Sequence, residues 1–259
     1  MLSANSIHYR AGKKIILDGI TAGFQPNTIN IILGPNGSGK STFLKICSGE
    51  LTPGSGEIHY DAKDISREKK DDLALYRAVL SQQPDLHFPL QVEEVIMMGR
   101  YPHMALDPKP RDLSICEEVM GVLDLVPFRN RNYLTLSGGE KQRVQFARVL
   151  AQVWEHPASG NRFLFLDEPL NSLDIRYQQE FLRLAESFVD EQTVFVSVLH
   201  DINLAAQFGD HLYFMKEGKI AAAGAPAEIL TPALIKEIFD VDSTVVQHPG
   251  NGKPVIVFG

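Results

Sequence analysis

The run Gly34-Pro35-Asn36-Gly37-Ser38-Gly39-Lys40-Ser41, continuing into Thr42, has the spacing G-x-x-x-x-G-K-[ST]. It follows an apolar stretch that reads as a strand and opens Ser41 to Gly49, which reads as a helix, so pattern and context agree on a phosphate-binding loop. Glycines let backbone N–H groups converge on phosphate oxygens, and the positive end of the following helix favours the anion. Lys40 is placed to reach the β- and γ-phosphates of a nucleoside triphosphate, and the Ser41 hydroxyl to ligate Mg²⁺. An ordinary glycine turn would need neither the strand before it nor the helix after it.

Phe163-Leu164-Phe165-Leu166-Asp167-Glu168 is an apolar strand ending in two carboxylates. Open α/β sheets bind ligands at such strand ends. Asp167 is expected to hold Mg²⁺, directly or through water, and Glu168 to orient and deprotonate the attacking water. The plainer alternative is a pair of helix-capping acids after a core strand. Thr193 to Leu199 is a further buried strand and ends at His200-Asp201. At a sheet end beside the triphosphate, a neutral His200 can donate an N–H to the γ-phosphate, although a lone histidine after a strand is more often structural. Gln82 and Gln83 follow the strand-like Ala78 to Leu80, and one of them could offer an amide oxygen to Mg²⁺ or to the water.

These residues need a scaffold that gathers strand ends. The short β-branched runs Asn30 to Leu33, Arg162 to Leu166 and Thr193 to Leu199 read as buried parallel strands of an α/β sheet. Met1 to Phe24 holds two strand-like pieces around a turn at Ala11-Gly12, and Gly56 to Tyr60 is another, which together predict a small antiparallel sheet beside the main one. From about Pro84 to Val153 the texture becomes helical, with Leu113, Cys116, Val119, Met120 and Leu123 at spacings of three and four. Glu155 to Asn161 has loop composition. After Gly224 the chain reads as a helical tail, Pro226 to Asp240, and a short final strand, Pro254 to Phe258.

With 259 residues, 44% of them hydrophobic and 22% charged, the chain can bury a full core without disulfide staples. Cys47 and Cys116 are isolated and fit neither a zinc site nor a disulfide framework, as expected of a reduced setting. A formal net charge of -7 argues against a nucleic-acid binder, so nucleic acid is not an expected partner. No apolar run approaches the length of a membrane span, and Met1 to Arg10 lacks the apolar core of a secretory signal. Attachment to a membrane would therefore come through a partner.

Leu136-Ser137-Gly138-Gly139-Glu140, ahead of a helix predicted over Lys141 to Val153, resembles the signature of ATP-binding cassette (ABC) proteins. Ser137 and the glycine amides stand at a helix N-terminus and present donors to an anion, yet Lys40 already serves this chain's own phosphates. In that family the signature contacts the γ-phosphate held by the opposite subunit, so the resemblance implies a homodimer that buries two ATP molecules head to tail. The likeness spans essentially the whole chain. Tyr9 matches the aromatic that stacks on adenine, Gln82 the Q-loop glutamine better than Gln83, Asp174 the loop that crosses the dimer interface, and His200 the switch histidine. Leu170 and Asn171 replace the usual small residues of that interface loop.

The resemblance implies a P-loop NTPase fold: an α/β RecA-like core with an N-terminal antiparallel β subdomain and an inserted helical subdomain. Residues 1–83 and 160–259 would form the core, and 84–159 the helical part that carries the signature. It further implies ATP and Mg²⁺ as cofactors, two membrane-spanning permease subunits, a periplasmic substrate-binding protein, and a peripheral position on the cytoplasmic face of the bacterial inner membrane. Gly49 to Pro53, Phe88 to Val95, Gly99-Arg100 and Ala147 to Trp154 look like the ATPase subunits of bacterial haem importers, which group with ferric-siderophore and cobalamin importers. Rival readings are weaker. A soluble cassette acting as a macromolecular clamp usually carries two cassettes or a long coiled coil, and a GTP switch would need an Asn-Lys-x-Asp motif that is missing. A non-catalytic ATP-binding scaffold would not need Lys40, Asp167 and Glu168 together.

Overall fold

The chain opens with a β-hairpin, Leu2–Ala11 (β1) and Lys14–Phe24 (β2), and continues through Thr28–Leu33 (β3), Lys40–Cys47 (α1), Ser55–Tyr60 (β4), Lys63–Asp64 (β5), Lys70–Ala74 (α2) and Arg77–Leu80 (β6). Helices Val92–Met97 (α3), Pro110–Val122 (α4) and Gly138–Gln152 (α5) follow before the next strand, Arg162–Asp167 (β7). The remainder is Ile175–Phe188 (α6), Thr193–Val198 (β8), Ile202–Phe208 (α7), His211–Lys216 (β9), Lys219–Gly224 (β10), Pro226–Ile229 (α8), Pro232–Phe239 (α9), Ser243–Gln247 (β11) and Pro254–Phe258 (β12). The computed structural model describes residues 1–81, 86, 88–171 and 173–259.

Among the described residues, the main sheet runs β10-β9-β3-β8-β7-β6, and a second sheet runs β2-β1-β4-β5. Pairing in the main sheet is parallel except between β9 and β10. The second sheet is antiparallel throughout.

Strands β3, β7, β8 and β9 are buried on both faces, so their alternation sorts residues between two cores and not between core and water. Phe163, Phe165, Val194, Val196, Val198, Tyr213 and Met215 face the antiparallel sheet and α1. Leu164, Leu166, Phe195, Ile31, Leu33, Leu212 and Phe214 belong to the opposite core, which runs on without a break into the helices around Val95, Ile115, Val119 and Phe146. Each large apolar side chain so buried contributes about 1.5 to 3 kcal/mol, enough to override weak local preferences in strands this short. Tyr60 joins the first core from β4: its ring stacks on Phe163 at 4.0 Å and its hydroxyl donates to the Cys47 carbonyl at 2.7 Å.

Differences from the sequence expectations have local causes. The helix at the signature begins at Gly138 and not at Lys141, because Ser137 and Glu140 form a reciprocal capping box. The expected tail helix is two helices, since Pro232 supplies no N–H and starts a new one. On α4, Leu113 is exposed and Ile115 is buried beside Cys116, Val119 and Met120. Residues 202–224, for which the sequence predicts no element, form α7, β9 and β10. Among the described residues no helix is long and apolar enough to cross a membrane.

Candidate functional site

Strands β3, β8 and β7 are neighbours, and their C-terminal ends lie level. Ile32 and Asp167 both pair with Val198, the Leu199 N–H donates to the Ile32 carbonyl at 3.2 Å, and the Glu168 N–H donates to the Val198 carbonyl at 3.2 Å. The glycine loop leaves β3 at this edge, Asp167 ends β7, Glu168 follows it, and His200 stands two residues past β8.

Gly34, at φ 148°, turns the chain out of β3 in backbone that favours glycine. A Cβ there would lie 2.1 Å from the Met215 carbonyl oxygen. Gly34→Ala is therefore expected to cost about 1 to 3 kcal/mol through overpacking. A lower thermal unfolding midpoint would show it; an unchanged midpoint would mean that the loop relaxes freely. Gly39, at φ 102°, is the N-cap of α1, and a Cβ on it would lie 2.7 Å from Leu17 Cδ2. Asn36 and Gly37 are exposed at the loop tip, Pro35 and Thr42 are half-buried, and the buried Ser38 hydroxyl has no hydrogen-bond partner among the described residues. Tyr9 is half-buried on β1 opposite Leu17, one strand from the Gly39 contact.

Lys40 is only 5% exposed, and its ammonium donates to the carbonyls of Gly34 at 2.8 Å and Pro35 at 3.1 Å. Burial lowers its pKa, with the charges of Glu168 and Asp167 opposing that shift. The Ser41 hydroxyl donates to Asp167 Oδ1 at 3.0 Å, bringing together residues 126 apart in sequence. Burial raises the Asp167 pKa, the Ser41 hydrogen bond opposes it, and the adjacent Glu168 charge adds to the rise. A hydroxyl and a carboxylate converging in this way form a hard-oxygen donor pair that suits Mg²⁺, which normally keeps further positions for phosphate and water.

Glu168 occupies left-handed backbone at φ 53°, unusual for a residue with a side chain. One carboxylate oxygen meets His200 Nε2 at 2.5 Å, and the other accepts from Asn171 Nδ2 at 2.7 Å. The Asn171 contact was not anticipated from the sequence, where Asn171 marked only a departure from small residues. Its spacing of three from Glu168 was the available signal, because the intervening turn closes with the Asn171 N–H on the Glu168 carbonyl at 3.3 Å.

The signature segment stands at the start of α5. Ser137 Oγ accepts from the Glu140 N–H at 3.3 Å and Glu140 Oε2 accepts from the Ser137 N–H at 2.7 Å, which satisfies two backbone donors at the start of the helix. The Ser137 N–H also holds the Glu140 carboxyl below its ordinary pKa. Gln142, one turn into α5, donates to the Pro169 carbonyl at 2.9 Å and so ties this helix to the loop after Glu168. Asp174 caps α6 by accepting from the Tyr177 N–H at 3.0 Å. Gln82 and Gln83 lie outside the described residues.

A family model described as ABC transporter matches residues 17–171. Two curated proteins align along nearly the whole chain. The Hemin import ATP-binding protein HmuV of Gloeobacter violaceus is 41% identical over 257 residues, 99% of this chain and 94% of that protein. The protein of the same name from Escherichia coli O157:H7 is 40% identical over 258 residues, 99% of each. Among solved structures, an inward-facing metal-chelate type ABC transporter superposes over 100% of this chain and 96% of its own, with TM-score 0.83 at 21% identity, a likeness of fold. A dimeric ATP-binding cassette in a post-hydrolysis state with ADP and Pi superposes over 87% of this chain and 98% of its own, with TM-score 0.73 at 27% identity.

Proposed function

The chain belongs to the ABC transporter family, and on that premise we propose that it is the ATP-hydrolysing subunit of a haem importer, working as a homodimer against two membrane-spanning permease subunits. The observation that carries the hydrolytic part is the convergence of Lys40, Ser41, Asp167, Glu168 and His200 at three adjacent strand ends. Hemin import is the named activity of relatives about as long as this chain and 40% or more identical to it, which supports the cargo.

We assign the roles from these contacts together with the family's signature. The loop amides and Lys40 bind the β- and γ-phosphates of ATP, and Tyr9 stacks on its adenine. Ser41 and Asp167 would hold Mg²⁺, with Gln82 as a further oxygen donor, and the ion would supply positive charge to offset that of the phosphates. Glu168 takes a proton from the attacking water, and His200 donates to the γ-phosphate. Ser137 to Glu140 of the twin subunit seals the same phosphate from the other side, with Asp174 beside the crossing loop. Ile175 follows that loop at 80% exposure, which supports a partner surface there. ATP closes the dimer because both surfaces grip it only when they meet, and this differential affinity moves the equilibrium.

Closure would push on the permeases, which we place beside Gln82 and the segment through Leu90. Phe88 is 70% exposed there and has little to do in an isolated subunit. Substituting Phe88 or Leu90 with Glu is expected to abolish cargo uptake by reconstituted transporter while basal ATP hydrolysis persists. Transport still coupled to hydrolysis in both variants would count against that docking site. We place the subunit peripherally on the cytoplasmic face of the inner membrane, with a periplasmic substrate-binding protein completing the system. To test the cargo, the membrane complex is purified and haem, a ferric siderophore or cobalamin is delivered by the binding protein. Haem should be the one that raises ATP turnover; stimulation by either of the others and not by haem would overturn the assignment.

A further inference from the structure

Helix α7 begins directly after His200, with Asp201 as its cap: Asp201 Oδ1 accepts from the N–H groups of Asn203 at 2.8 Å and Leu204 at 3.0 Å. Spanning only Ile202–Phe208, it is far too short to hold itself together in water and depends on what it packs against. Ile202, Ala205 and Ala206 are buried in the sheet-side core. Asn203 and Gln207, one turn apart, share a different face and meet the last strand of the chain.

That contact is specific. Asn203 Nδ2 donates to the Ile256 carbonyl at 3.0 Å, and Asn203 Oδ1 accepts from the Ile256 N–H at 2.7 Å, so one side-chain amide pairs with both backbone groups of one residue. Gln207 Nε2 donates to the Pro254 carbonyl at 3.2 Å, and Gln207 Oε1 accepts from Asn251 Nδ2 at 2.9 Å. The Lys253 ammonium donates to the Gln207 backbone carbonyl at the end of the helix. The spacings match: four residues of helix advance about 6 Å, and two residues of strand about 6.6 Å. Asn203 and Gln207 therefore engage Ile256 and Pro254 in step. Ile256 is buried in the core shared by α7, where unpaired backbone groups would be costly.

We propose that the β11–β12 hairpin is a positioning element for His200, acting through Asn203 and Gln207. Gripped on this side and packed on the other, α7 cannot rotate or slide, and the residue at its start is held where its ring reaches Glu168. The inference rests on the reading of His200 as a working residue of the nucleotide site.

The test uses the cassette purified with its membrane subunits. Asn203→Ala removes both bonds to Ile256 and is expected to lower kcat about ten-fold, with KM for ATP within about two-fold of the parent. Asn203→Asp keeps the acceptor and loses the donor, and is expected to fall between the two. Amides of residues 200–208 should exchange faster with solvent in both variants. In a His200→Ala background, Asn203→Ala should lower kcat no further. Parental kcat in Asn203→Ala, unchanged exchange in α7, or losses that multiply in the double variant would each overturn the proposal. Should Asn203→Ala fail to fold, Gln207→Ala serves with the same expectations. Parental turnover in His200→Ala alone would instead remove the reading of His200, an outcome distinct from an inert Asn203.

Discussion

Replacing Glu168 with Gln is expected to lower steady-state ATP turnover by about 10²- to 10⁴-fold while nucleotide binding survives. The substitution keeps the size and shape of the side chain but turns one accepting oxygen into an NH₂ donor, so one of the contacts to His200 and Asn171 must rearrange, and an amide does not take a proton from water at neutral pH. The surroundings are built to hold a carboxylate still: His200 meets one oxygen, Asn171 the other, and the backbone N–H is tied to β8. A fall of that size corresponds to roughly 3 to 5 kcal/mol of barrier, more than the rearrangement of one exposed hydrogen bond would produce. Phosphate release and nucleotide titration on the same preparation separate the two quantities. Steady-state hydrolysis near the parental rate would take Glu168 out of the base role, and loss of binding would mean that the carboxylate is structural.

Lys40→Ala should act at the other step, weakening ATP binding about ten- to a hundred-fold. The Lys40 ammonium is nearly buried and sits on two carbonyls of its own loop, so a nucleotide must exchange those partners for phosphate oxygens. What is lost on truncation is the charge-assisted bond net of that exchange, each such bond being worth about 1.5 to 3 kcal/mol. Arg is not expected to rescue the variant, because its planar fork needs room that a buried site shaped for a compact ammonium lacks. Fluorescence titration with a labelled ATP analogue checks both variants. Unchanged affinity together with unchanged turnover in Lys40→Ala would defeat the phosphate-loop assignment.

Much of the fold and site could be read from the chain because the relevant physics is local. A glycine loop between a strand and a helix depends on φ/ψ freedom within a few residues, and Gly34 to Ser41 spells it out. The Ser137-x-x-Glu140 capping box is equally local, and it starts the helix at Gly138, three residues ahead of the expected Lys141. Strands β7 and β8 are legible as mostly apolar runs, Phe163 to Leu166 and Val194 to Leu199 with Ser197 the one interior polar residue, that lead into polar groups. The β9–β10 pair is not legible in the sequence: β9 is buried along most of its length and does not alternate between polar and apolar residues, and β10 after Lys219-Ile220 is Ala and Gly.

By itself, then, the sequence singled out the candidate groups and the strand ends or helix starts that present them. Tertiary structure alone decided which of them meet. That β8 lies between β3 and β7, so that Ser41 reaches Asp167 and His200 reaches Glu168, follows from sheet order and register. Apolar strands of the same period do not encode their neighbours; competition among whole packings for buried area does. The Asn171 contact on Glu168 and the amide pairing of Asn203 with Ile256 have the same origin. Polar side chains that look interchangeable along the chain acquire their partners only in the folded chain, and for Asn203 the core brings distant backbone into hydrogen-bonding range, where partial burial makes a missed bond costly.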